Sequence, residues 1–142
     1  MATVRTAGDL TIHDGPFRSF EWFWEDDRSM PGLDAFEGLA ARDQDDFVTS
    51  IAHWGNTPVG ITPTTSRINI ESTKPAIVAI KAGKQRFTAF REAAGPRWIV
   101  HAHYVKEGER RDKTGDRAIE STKGARQRYL QRVKDGTYYE RG

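Results

Sequence analysis

Between residues 17 and 25 apolar and polar side chains alternate with a period of two. Phe17, Ser19, Glu21 and Phe23 point one way, and Arg18, Phe20, Trp22 and Trp24 the other, as in a strand. Phe20, Trp22 and Trp24 are expected to face a core. After a turn-rich break ending in Met30-Pro31-Gly32 the period becomes helical: Leu33, Phe36, Leu39 and Ala40 share one face. A second helix follows, with Asp43 and Asp46 near its N-terminus, Phe47, Ile51 and Trp54 as its apolar stripe, and Gly55 as its stop, with Pro58 beyond. The pair reads as an acidic antiparallel hairpin with an apolar inner seam. Residues 56–74 are rich in Thr, Pro, Gly and Ser and predict a long loop, with no clear pattern over 63–72.

Three strand-like segments crowded with basic residues follow from residue 76, joined at Gly83-Lys84 and at residues 93–96. Such short connections predict antiparallel hairpins. In the third segment Trp98, Val100, Ala102 and Tyr104 alternate with Arg97, Ile99, His101, His103 and Val105, so strict alternation puts both histidines on one face. A last helix, expected from Thr114 or Asp116, keeps Ala118, Ile119, Thr122, Ala125, Tyr129, Leu130 and Val133 on a 3.6-residue period beside many Lys and Arg. The expectation is one small α+β domain over residues 17–136, with residues 1–16 as an arm or hairpin and 137–142 as a tail. Its antiparallel sheet, of four or more strands, is covered by the helical hairpin, and a basic helix closes it.

Composition narrows the chemistry. None of the 142 residues is cysteine, which excludes disulfides, thiolate metal sites and a Cys nucleophile. No secretory leader and no long apolar run is evident, so a cytoplasmic location is expected. The formal net charge of +2 conceals an asymmetry. Residues 1–60 hold four Lys/Arg against eleven Asp/Glu, and residues 61–142 hold eighteen against nine. A basic half of this kind is the footprint of a polyanion partner such as RNA or DNA, or equally a solvated face.

Cleaving RNA through its own 2′-OH needs a base for the hydroxyl proton, cations for the charge building on phosphorus, and an acid for the leaving 5′-oxygen. His serves either proton transfer near neutral pH, and a Lys or Tyr in a cationic cluster can also serve. Lys81, Lys84, Arg86, Arg97, His101, His103 and Lys106 could gather on one sheet surface and supply all three. Plainer roles stand beside this one: histidines on a solvated strand, Arg86 bridging to the helix of Asp45 and Asp46, and Tyr104 in the core. His101-x-His103 has no nearby carboxylate to complete a metal site, so neither metal nor cofactor is expected. His13 and His53 are isolated and read as structural.

The succession of FEWFWE, MPGLDAFEGLA, KAGKQRFTAF and HAHYVKEGERRDKTGDRAI resembles the RelE/ParE toxin superfamily, and within it the HigB-like, phage-related branch. That resemblance covers residues 17 to 134. It implies a ribosome-dependent endoribonuclease that cuts messenger RNA, held in check by a cognate antitoxin, a helix-turn-helix protein in the expected case. On this basis Lys81, Arg86, His101, His103, Tyr104 and Lys106 are the expected catalytic group. Lys84, Arg91, Arg97, Arg110, Arg111 and Lys113 are the further cations expected on RNA. Where the family has a second Lys after its aromatic-x-Lys segment this chain has Glu107, so Arg110, Arg111 or Lys113 would replace that charge. Where the family often has a His two residues before the aromatic, this chain has Ala102. The alternatives are a ParE-like inhibitor of DNA gyrase without catalysis, and a non-toxic phage-related protein of the same fold.

Overall fold

Six strands form one sheet in the computed structural model, which describes residues 3–92, 96–108 and 113–139. They are β1 (Thr11–Asp14), β2 (Ser19–Trp22), β3 (Ile68–Thr73), β4 (Ala76–Ala82), β5 (Gln85–Arg91) and β6 (Arg97–Val105). The helices are α1 (Pro31–Glu37), α2 (Ala41–Gly55) and α3 (Lys113–Lys134). Strand order is β1-β2-β6-β5-β4-β3. The chain is an α+β protein, and no helix among its described residues is long and apolar enough to cross a membrane.

The sheet is mixed, not wholly antiparallel as expected. Strands β3 to β6 form an antiparallel meander, but β2 lies parallel to β6, with Phe20 opposite Trp98 and Trp22 opposite Val100. A parallel pair needs a long crossover, and here both N-terminal helices and three strands intervene between its members. β1, within the segment expected as an arm or hairpin, pairs antiparallel with β2. One strand was not anticipated: β3 lies inside the expected loop and pairs with β4. Its sequence INIEST carries no clean alternation because a bulge between Ile70 and Ser72 breaks the period.

Both faces of the sheet are covered. On one, α1 and α2 pack against β2, β4, β5 and β6. Trp22 stacks on Phe47 of α2 with centroids 5.5 Å apart, Phe47 meets Phe87 at 4.7 Å, and Trp54 meets Trp98 at 4.6 Å. On the other, α3 lays Thr122, Ala125 and Tyr129 on β5 and β6, with Tyr129 against Phe90. Residues at both phases of the alternation from 20 to 24 are therefore buried, Phe23 on the α3 side as fully as Phe20 on the α2 side. The β4–β5 turn is Gly83-Lys84, where Gly83 at φ +59° supplies the positive φ that a two-residue hairpin demands at its first position.

Beyond α3 the chain stays in the core. Tyr138 is fully buried, packs edge-on against Tyr129, and accepts a hydrogen bond on its hydroxyl from the Trp24 backbone N–H at 2.9 Å. Tyr138 and Tyr139, in the segment expected as a tail, thus contribute to packing.

Candidate functional site

Folding neutralises much of the charge asymmetry. Acidic residues of the first half meet arginines of the second: Glu25 with Arg128 at 3.2 Å, Asp26 with Arg132 at 3.0 Å and Asp46 with Arg67 at 3.5 Å. Arg97, expected on RNA, is also committed. It lies 3.6 Å from Glu21 and 3.1 Å from Glu92 and donates to the Tyr139 hydroxyl at 2.9 Å. Tyr139 in turn donates to Glu21 and Tyr129 to Glu92. This network ties β2, the end of β5, β6, α3 and the C-terminal segment together. Burial pushes the Glu21 carboxyl up, and burial likewise pushes the Tyr129 phenol up to about 12.

Other cations collect at one end of the sheet, on the α3 side. Lys81 of β4 stands opposite Arg86 of β5, and Arg86 stands opposite Tyr104 of β6. Directly opposed strand residues hold their Cβ atoms about 5 Å apart, so the three form one row across three strands. Lys106 continues from Tyr104, its backbone N–H donating to the Lys84 carbonyl at 2.8 Å. Burial, and after it the Arg86 and Lys106 charges, lower the Lys81 pKa against the opposing pull of Glu71. Burial lowers that of Arg86, against the pull of Tyr104 and Glu71. At rest the Lys81 ammonium donates to the Thr65 carbonyl, while Arg86 Nη1 donates to Gly83 O at 2.7 Å and Gln85 O at 3.0 Å.

Helix α3 begins beside this row. A Cβ on Gly115 would come within 3.2 Å of Cζ and Oη of Tyr104, so the glycine lets the first turn of α3 lie directly on the phenol ring. Tyr104 is 9% exposed, leaving its ring largely covered. Asn69 and Glu71 of β3 flank the row on its other side, with Asn69 Nδ2 donating to Glu71 Oε1 at 2.7 Å. Neither was anticipated, because β3 itself was not.

The histidines do not join the row. A bulge between Thr88 and Ala89 leaves His101 without a partner on β5, between Val100, opposite Ala89, and Ala102, opposite Thr88. The extra residue breaks the two-residue period. His101 therefore points to α3 and His103 to the opposite, α2-covered side. His101, 5% exposed, has its Nδ1 3.2 Å from Thr122 Oγ1, which is 2.6 Å from Thr88 Oγ1, and meets Phe23 edge-on at 5.0 Å. Burial, then the Arg128 charge, drives its pKa down to about 4. His103 lies 2.6 Å from Gln85 Oε1 through Nε2 and packs on Phe87, and burial lowers its pKa as well. The expectation that both imidazoles share a face is corrected, and two rings on opposite faces cannot hold one metal ion.

Of the remaining expected cations, Lys84 in the β4–β5 turn and Lys113 at the start of α3 are exposed beside the row. Arg91 is exposed at the far end of β5. Arg110 and Arg111 lie outside the described residues. The structure thus brings together Lys81, Arg86, Tyr104 and Lys106 of the expected catalytic group and separates His101 and His103 from them. No family model matches the chain, and no curated protein matches its sequence.

Proposed function

We propose that the Lys81, Arg86, Tyr104 and Lys106 face binds RNA and cleaves it by attack of a ribose 2′-OH, the chain being the ribonuclease toxin of a toxin–antitoxin pair that acts on ribosome-bound messenger RNA. The observation that carries this reading is the row itself, in which three separately expected residues fall into register across β4, β5 and β6. It stands within a succession of strand, helices, antiparallel meander and closing helix that resembles the RelE/ParE superfamily, although the meander here has four strands.

The chemistry is assigned to the row as follows. Arg86 holds the non-bridging phosphate oxygens through its guanidinium fork. Lys81, its pKa depressed by burial and by neighbouring cations, takes the proton as O2′ attacks phosphorus. The P–O5′ bond breaks, leaving a 2′,3′-cyclic phosphate and a 5′-hydroxyl whose proton comes from Tyr104 or Lys106. The first turn of α3, pressed on Tyr104 at Gly115, fixes the phenol. An antitoxin silencing this face would present an acidic or extended segment to it.

A non-catalytic, ParE-like reading is favoured by one observation: neither imidazole reaches the row, which leaves proton transfer to Lys and Tyr. Ribosomes programmed with messenger RNA separate the two readings. The nuclease reading expects cuts ending in a 2′,3′-cyclic phosphate, and no cuts in an all-2′-deoxy strand. Intact RNA together with inhibition of gyrase supercoiling supports the second.

A further inference from the structure

Three cations that pair with no carboxylate among the described residues converge elsewhere in the fold. Lys74 lies in the turn between β3 and β4, Arg91 ends β5, and Arg126 projects from α3. Together with Thr73, Pro75 and Ala76 they line an open cavity of about 340 Å³. Among the described residues, none that lines it is acidic. Glu92, the carboxylate nearest in sequence, is held by Arg97 and Tyr129. The Nε of Arg126 is buried and has no hydrogen-bond partner. A buried donor without a partner is costly, and like charges gathered around one space repel.

We propose that Lys74, Arg91 and Arg126 form a phosphate-binding site. A phosphate oxygen seated in the cavity would accept from the guanidinium groups of Arg126 and the exposed Arg91, and Lys74 would add a mobile point charge. The volume equals that of roughly ten waters, enough for a phosphate with part of its hydration shell or with an attached sugar. The site is distinct from the Lys81–Arg86–Tyr104 row. The strand between Lys74 and Lys81 spans roughly 20 Å, so one phosphate cannot serve both. The inference does not depend on the nuclease reading, since the phosphate may be free or carried on a nucleic-acid strand.

The test uses the whole chain and two probes: inorganic phosphate, and a single-stranded 2′-O-methyl oligonucleotide that cannot be cleaved. Arg side-chain ¹H–¹⁵N spectra are recorded during each titration. Millimolar phosphate is expected to shift the Arg91 and Arg126 Nε–H signals. The double variant Lys74→Ala/Arg91→Ala, both exposed positions, is expected to weaken binding about tenfold or more. If the oligonucleotide produces the same shifts and the same loss, the phosphate is one of a nucleic-acid backbone. If only inorganic phosphate does, the ligand is a free phosphate. No shift with either probe overturns the proposal, as does binding that the double variant leaves unchanged.

Discussion

His101 provides a quantitative test of how the sheet is built. Its imidazole is 5% exposed, sits between β6 and α3, and has its pKa lowered from 6.5 to about 4, first by burial and then by Arg128. In the unfolded chain it returns to the ordinary value. Above that value both states hold it neutral and its contribution to stability is fully present. As pH falls from 6.5 towards 4 the unfolded chain binds the proton and the folded chain does not, so stability is lost across that window. A gap of that size corresponds to about 3 kcal/mol. His103 is also depressed by burial and adds a loss of the same sign, so the effect must be isolated by difference. Urea denaturation of the wild type and His101→Gln at several pH values does this. Near neutral pH the variant is less stable, having lost packing against Phe23 and its contact with Thr122. That difference is expected to shrink by about 3 kcal/mol as pH falls through the window. A difference that stays constant with pH would refute the buried neutral imidazole, as would an NMR titration of His101 centred near its ordinary value. The pH profile of RNA cleavage should keep its shape in His101→Gln, because an imidazole behind α3 exchanges no proton with a substrate.

Gly115→Ala puts a Cβ within 3.2 Å of the Tyr104 ring, so RNA cleavage at saturating substrate should fall about tenfold from a displaced phenol; thermal melts should be unchanged or slightly higher. Ending the chain after Gly136 removes the fully buried Tyr138 together with Tyr139, and the denaturation free energy should drop by about 3–5 kcal/mol; an undiminished value would show residues 137–142 to be a dispensable tail. Arg97→Ala leaves Glu21 and Glu92 without their cation and should cost about 1–3 kcal/mol in urea denaturation at this partly exposed site, with oligonucleotide affinity unaltered.

The periodic elements were legible in the sequence, and the interruptions of period were not. Phe47, Ile51 and Trp54 mark α2, and Ala118, Ile119, Thr122, Ala125 and Tyr129 of α3 are buried where the 3.6-residue pattern places them, although at its C-terminal end Val133 is exposed and Arg132 is buried instead. The pairing of Lys81 with Arg86 was accessible too, because the Gly83-Lys84 turn fixes the β4–β5 register, whereas strict alternation placed Tyr104 on the face of Trp98 and only the family resemblance joined it to the site. What failed depends on single inserted residues. The bulge that leaves His101 unpaired turns an expected pair of proton carriers into one buried core residue and one half-buried residue on the far face. The bulge between Ile70 and Ser72 hid β3, and with it Asn69 and Glu71 beside the site. A bulge changes the side-chain phase without changing composition, so no propensity signals it. Charge could not be apportioned from the sequence for a different reason. The asymmetry between the halves of the chain is real in sequence, but Glu21, Glu25, Asp26 and Asp46 fold back on arginines of the basic half. Long-range pairing of this kind decides which cations are left for a ligand.

Arg86 offers the most direct test of the proposed nuclease site. Its side chain sits in the middle of the row and bonds only to carbonyls of its own turn among the described residues, so Arg86→Ala should change the denaturation free energy by no more than about 1 kcal/mol. Loss of its fork to the charge developing on phosphorus should slow single-turnover cleavage of ribosome-bound messenger RNA by about a hundredfold or more, with Arg86→Lys recovering only part of the rate. A folded Arg86→Ala protein that cleaves at the wild-type rate would contradict the assignment of this face as the active site.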